Sequence, residues 1–150
     1  MKSSIGIASV LSVIVLSGCA SGGGVQKLET TDTRACAQNF TYDGSFLAGR
    51  TFKTKDIVKG VNPKTAIKRA AKYTAEDGWN IANIDKEMGI ISASQNVSFG
   101  DGKTAPLTIS VDSSSGGSEV RMSYSISGGV TAPVDAVKDH FCATIEAIQG

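Results

Sequence analysis

From residue 91 to residue 126 apolar and polar side chains alternate with a period of two, and no other property of this 150-residue chain restricts its fold as strongly. Ile91, Ala93, Gln95, Val97 and Phe99 are separated by Ser92, Ser94, Asn96 and Ser98. Leu107, Ile109 and Val111 are separated by Thr108 and Ser110, and Val120, Met122, Tyr124 and Ile126 by Arg121, Ser123 and Ser125. Successive side chains of a strand point to opposite faces, so each run buries one face and leaves the other to solvent. The runs are joined by short turns rich in Gly and Ser, such as 113–118. They predict an antiparallel meander, because a parallel sheet would need continuously apolar strands and long crossovers. A further strand is expected over 79–85, with a turn at 86–89. Residues 51–58 have strand composition broken by three charges, which suits an exposed edge strand.

Two helices flank the meander. Asn62-Pro63 is a start signal, with Asn as cap and Pro at a position where its missing N–H costs nothing. Ile67, Ala70, Ala71 and Thr74 then recur at helical spacing until Gly78. The buried face is mostly alanine, so this helix can lie close to a sheet. Thr131-Ala132-Pro133 opens the second helix, with Asp135 in its first turn. Val134, Val137, Phe141, Ile145 and Ile148 share one side of its helical wheel, with Cys142 at the flank. Between 36 and 49 the pattern is irregular, with Phe40, Tyr42, Phe46 and Leu47 among Asn, Asp and Gly, as in a segment strapped onto a core.

At the amino end, Lys2 precedes an apolar run over 5–16 that is too short to span a bilayer, and the run closes on Leu16-Ser17-Gly18-Cys19. This resembles the lipobox of bacterial lipoprotein signal peptides. The resemblance implies cleavage between Gly18 and Cys19, acylation of the Cys19 thiol, and a further acyl chain on the new amino terminus. Anchoring then rests on the acyl chains, each buried methylene contributing about 0.8 kcal/mol. Ala20, where the resemblance would place Asp for inner-membrane retention, directs the protein to an outer membrane, facing the periplasm. The expected organisation is a signal peptide over 1–18, a flexible tether over 19–35 led by Ser21-Gly22-Gly23-Gly24, and one domain over 36–150.

Loss of the signal removes one of 15 basic residues and leaves 14 against 14 acidic ones. A chain without a basic surplus is not expected to bind nucleic acid. With Cys19 acylated, Cys36 and Cys142 remain as a pair in an oxidising compartment. A disulfide is the economical reading, and two separately buried thiols the alternative. No metal site or cofactor is expected.

His140, the only histidine, falls off the apolar stripe and reads as solvated. Gly100-Asp101-Gly102-Lys103-Thr104 has the ending of a phosphate loop, but Ala105-Pro106 leads into a strand, so a hairpin turn is the better reading. Neither Ser-x-x-Lys nor Gly-x-Ser-x-Gly occurs after Cys19, and an enzyme is not expected. Trp79, after a helix-ending glycine, reads as core or hinge.

The order strand, helix, meander of four to five strands in all, helix gives an α+β domain with two helices on one face of the sheet, a helix-grip-like arrangement. The run 66–71 leading to Gly78-Trp79, then Ile84-Asp85 to Gly89-Ile90-Ile91, resembles the domains of the BamC lipoprotein family, accessories of the outer-membrane assembly machinery. That resemblance implies a non-enzymatic accessory that binds another envelope protein or a polymer. Its docking surface would be the outward hydroxyl face of Ser92, Ser94, Thr108, Ser110, Ser123 and Ser125. The alternative is carriage of a lipid or small hydrophobic ligand in a cavity between helix and sheet, lined by Ile109, Val111, Met122, Tyr124, Phe141 and Ile145.

Overall fold

The computed structural model describes residues 24–98 and 100–150. The expected signal peptide, its cleavage point and Cys19 lie outside these residues, as does Phe99. The chain runs β1 (Gln26–Lys27), α1 (Ala35–Gln38), β2 (Thr41–Ser45), β3 (Gly49–Lys59), α2 (Pro63–Glu76), β4 (Asn80–Asp85), β5 (Ile90–Asn96), β6 (Thr104–Ser114), β7 (Gly117–Ile126) and α3 (Val134–Gln149). The strands form one sheet in the order β1-β2-β3-β7-β6-β5-β4, and every neighbouring pair is antiparallel. The fold is the expected α+β, helix-grip-like one, with seven strands where four to five were expected. The excess comes from the irregular segment before residue 49, which supplies β2 and lets β1 pair beside it.

The alternation set out above is the one that builds the core. Phe52, Val58, Ile91, Leu107, Ile109, Val111, Val120 and Met122 are buried on the inner face, against Ala66, Ile67 and Ala70 of α2 and Val137, Phe141, Ile145 and Ile148 of α3. Phe40 seals this core, its ring 6.2 Å from Phe52 and 5.9 Å from Phe141 between centroids. The α2 start is the one anticipated: the Asn62 side chain accepts from the Thr65 amide at 2.9 Å, a cap whose loss typically costs about 1 kcal/mol. Gly78, at φ 85°, ends the segment in a left-handed turn that favours glycine.

Two expectations are corrected. Residues 51–58 do not form an edge strand, because β2 pairs with β3 from Gly49 to Lys53 and β7 pairs with its whole other side. Only the part of β3 beyond Lys53 lacks a strand on the outer side, and side chains cover it. Asn39 Nδ2 donates to the Lys55 carbonyl at 3.0 Å, and Gln149 accepts from the Lys59 amide at 2.8 Å while donating to its carbonyl at 2.9 Å. An edge occupied in this way offers no free ladder to another chain. Nor does the chain run free to residue 35. From Gln26 it pairs with β2, Leu28 packs on the core, and Arg34 bridges Asp32 at 2.6 Å and Glu146 of α3 at 2.9 Å.

Cys36 on α1 and Cys142 on α3 are joined in a disulfide, with Cα atoms 5.4 Å apart and a sequence separation of 106. The bond fixes the amino-terminal strap to the last helix. The chain-entropy model allows about 4.7 kcal/mol for a loop of this size. Cys36→Ser and Cys142→Ser should each lower the melting temperature by a similar amount, and the double variant by no more, as followed by circular dichroism.

Candidate functional site

A groove of about 1000 Å³ lies between α2 and the end of the sheet where β4 turns into β5. Its volume lies at the upper end of the roughly 300–1,000 Å³ that ligand sites occupy. One wall is α2, whose Lys64, Ile67, Lys68 and Ala71 fall at i, i+3, i+4 and i+7 and so share a face. The other wall is the β4–β5 hairpin with Ile84, Lys86, Glu87 and Met88, and Val111 of β6 closes the floor.

Local backbone features put these groups there. The register of β4 against β5 shifts between Ile81 and Asn83, so Ile81 lies opposite inward Ala93 and Ile84 opposite inward Ile91. A strict period of two would put Ile81 and Ile84 on opposite faces. The extra residue of a β-bulge brings both to the inner one. Gly89 has φ 68°, and a Cβ there would run into the Val111 carbonyl oxygen. Its own carbonyl accepts from the Val111 amide at 2.8 Å, which ties the hairpin to β6. Ile84 and Met88, respectively 38% and 66% exposed, are therefore held apolar and open to solvent across from α2. Large apolar side chains gathered at a concavity mark binding surfaces, unlike the same residues scattered singly.

The rim is basic. Lys64, Lys68 and Lys86 take part in no ion pair among the described residues. Of the two acids at the groove, Asp112 is engaged by Arg121 Nη1 at 2.6 Å, which leaves Glu87.

The expected cavity lining does not enclose this space. Ile109, Met122, Phe141 and Ile145 are buried in a filled core, because the Phe40, Phe52 and Phe141 rings occupy the region between α3 and the sheet. Only Val111 of the expected set lines the groove. Tyr124 instead borders a smaller pocket of about 270 Å³ with Trp79, Gln95 and His140. Burial raises the Tyr124 phenol above its ordinary pKa.

The expected solvated His140 is also corrected. Its ring lies 5.7 Å from that of Trp79, and its Nε2 is buried without a hydrogen-bond partner. Trp79 itself is buried, as expected, and donates from Nε1 to Asp77 at 3.1 Å. Burial lowers the His140 pKa, while Asp77, 3.5 Å from Nδ1, acts in the opposite sense.

The hydroxyl set does share one outward face. Ser92, Thr108, Ser123 and Lys53 stand in register across four strands, and Ser110, Arg121 and Lys55 form the next row. Ser94 lies opposite Pro106, and Ser125 bonds Thr51 between hydroxyl oxygens at 3.1 Å. The face carries more charge than expected, since Lys53, Lys55 and Arg121 line a shallow depression of about 390 Å³ there. Residues 100–103 lie in the hairpin turn between β5 and β6, closed by the Val97 amide donating to the Lys103 carbonyl at 2.9 Å, and Thr104 begins β6. Among the described residues no three His, Cys, Asp or Glu side chains converge, and no helix is long and apolar enough to cross a membrane.

No family model matches the chain, and no curated protein does. Among solved structures it is similar to one titled "Crystal structure of Ara h 8.0201", with 15% sequence identity and a TM-score of 0.48 over 67% of this chain and 94% of that one.

The half-buried imidazole makes stability depend on pH. A histidine whose folded pKa is depressed binds its proton more readily when unfolded, so its contribution is complete above the ordinary value of 6.5 and is lost as pH falls below it. Asp32, held at about 2 by its hydrogen bonds from Arg34, acts in a separate window, between its ordinary 3.8 and that value. The melting temperature should therefore drop as pH falls below about 6.5, and His140→Phe, which keeps a ring against Trp79, should flatten that part of the profile.

Proposed function

We propose that this protein is a non-enzymatic lipoprotein of the bacterial envelope, anchored through acylated Cys19 in the outer membrane and facing the periplasm, whose domain holds a lipid or other small hydrophobic ligand in the groove between α2 and the β4–β5 hairpin. The observation that carries the ligand reading is the opposition of exposed Ile84 and Met88 to Ile67 and Ala71 across a space of about 1000 Å³. The lipobox and the Cys36–Cys142 bond support an exported, oxidised setting. β1 and β4 are the two outermost strands of the sheet, and at about 4.8 Å per strand they lie on the order of 30 Å apart.

A second reading is docking of another envelope protein or polymer on the outward sheet face, an accessory role like that suggested by the BamC family. The in-register hydroxyl rows, interleaved with Lys53, Lys55 and Arg121, favour it.

Two measurements test the proposal. Cells fed radiolabelled palmitate should label the wild-type chain and leave Cys19→Ala unlabelled and unprocessed; an unlabelled wild-type chain rules out the anchor. For the groove, a lipid or an added environment-sensitive alkyl probe should bind the unacylated domain, and Met88→Asp should weaken it at least about tenfold with the melting temperature little changed. A charge on an exposed turn costs the fold little but places a carboxylate where the alkyl chain would lie. Equal binding by Met88→Asp overturns this location.

A further inference from the structure

We propose that the ligand of this groove is an amphiphile with an anionic headgroup, its alkyl part against Ile84 and Met88 and its carboxylate or phosphate held at the rim by Lys64, Lys68 and Lys86. This rests on the groove being the ligand site and adds the chemistry of the ligand.

The floor and the rim ask for different things. Ile84 and Met88 expose apolar surface to the groove, beside the largely buried Ile67 and Val111, which suits an alkyl chain better than a sugar or a peptide backbone. The rim is cationic on both walls: Lys64 and Lys68 stand one helical turn apart on α2, and Lys86 faces them from the hairpin. All three lack an ion-pair partner among the described residues, whereas the other basic side chain nearby, Arg121, is neutralised by Asp112 and Glu119. Lysines that hold no acid of their own keep flexible, hydrated ammonium groups available to an incoming anion.

The helix adds to this. The groove includes the first turn of α2, where Asn62 and Pro63 line it beside Lys64. The amino end of a helix carries partial positive charge, and the Lys64 amide has no partner among the described residues: Pro63 has no N–H to offer, and Asn62 takes those of Thr65 and Ala66. A headgroup at this mouth meets three ammonium groups and one free amide, with Glu87 as the opposing charge. A zwitterionic head gains less, a neutral one gains nothing from the rim, and a cationic one is repelled by it.

Gly89 ties the hairpin to β6, and the α2 face is built from Ile67 and Ala71, so the two walls are fixed to the same sheet. Carboxylate and phosphate heads share the chemistry, and the experiment separates them.

The test uses the mature chain carrying Cys19→Ser, exported behind a signal of the non-lipoprotein type. Its folded part is self-sufficient, since the described core lies between Leu28 and Ile148 and is closed by its own disulfide. Dodecanoate, lauroyl-lysophosphatidylglycerol, monolauroylglycerol and dodecyltrimethylammonium are titrated below their micelle concentrations by calorimetry. The expected result is that one or both anionic probes bind about tenfold or more tightly than the neutral one, the preference fading as salt is raised. The cationic probe should be weakest. A stronger response to dodecanoate assigns a free fatty acid, and a stronger response to the lysophospholipid assigns a phosphate head.

In the variant Lys64→Gln, Lys68→Gln, Lys86→Gln, the anionic probes should fall to the affinity of monolauroylglycerol, whose own binding is unchanged. Those substitutions are at exposed positions, so the neutral probe also reports that the groove is intact. Equal binding of anionic and neutral probes, or an anionic preference that survives the triple substitution, overturns the headgroup assignment and leaves the groove standing. Failure of all four probes overturns the groove itself.

Discussion

The ring of Phe52 is the contact on which the rest of this structure closes. It is fully buried on β3, with Phe40 at 6.2 Å, Tyr42 at 6.3 Å and Tyr124 at 5.9 Å. Through Phe40 it reaches Phe141 on α3, and through Tyr124 it reaches Trp79 at the end of α2. The amino-terminal strap, three strands, α3 and the turn between α2 and β4 therefore meet in one run of aromatic rings. Aromatic side chains bury large areas and prefer these offset and edge-on arrangements, so a small domain gains both stability and a fixed geometry from them. The Cys36–Cys142 bond lies beside this run and holds the strap where Phe40 needs it.

The same packing decides where a ligand can go. Helix-on-sheet domains leave room wherever the helix contributes small side chains, and here the space under α3 is filled by Phe141 and its neighbours. α2 faces the sheet with Ala66, Ile67, Ala70 and Thr74. Toward its amino end the sheet offers Val111 and Ile84 in place of aromatic rings, and the groove opens there. The filled core and the open groove follow from an uneven distribution of side-chain volume over one continuous sheet. Rigidity at one end fixes the groove at the other, because the hairpin wall is fastened to β6 and β6 to β7 across an unbroken ladder.

Charge is distributed unevenly too. The chain as a whole is near neutral, yet its unpaired lysines collect at the groove and along β3, while Arg34, Arg121 and Lys138 spend their charge on neighbouring acids. Overall composition shows no basic surplus and says nothing about this partition, which depends on who stands next to whom.

Much of the architecture was legible in the residues themselves. Alternation at 91–126 named the inner faces of β5, β6 and β7, Asn62-Pro63 named the start of α2, and two cysteines left after the first named the disulfide. Each of these is a local regularity or a count, and side-chain direction in a strand or helix follows directly from it. Tertiary structure alone decided the rest. His140 looked solvated on its own helix, because nothing in the sequence says that Trp79 arrives to cover it. The expected cavity was drawn from residues that do face inward, but inward residues can pack as well as enclose, and the aromatic rings packed. The groove depends on a bulge that turns Ile84 to the inner face and on lysines from two distant segments meeting at one rim. Periodicity fixes which way a side chain points within its own element; what stands opposite it is set by the packing of elements far apart in the chain.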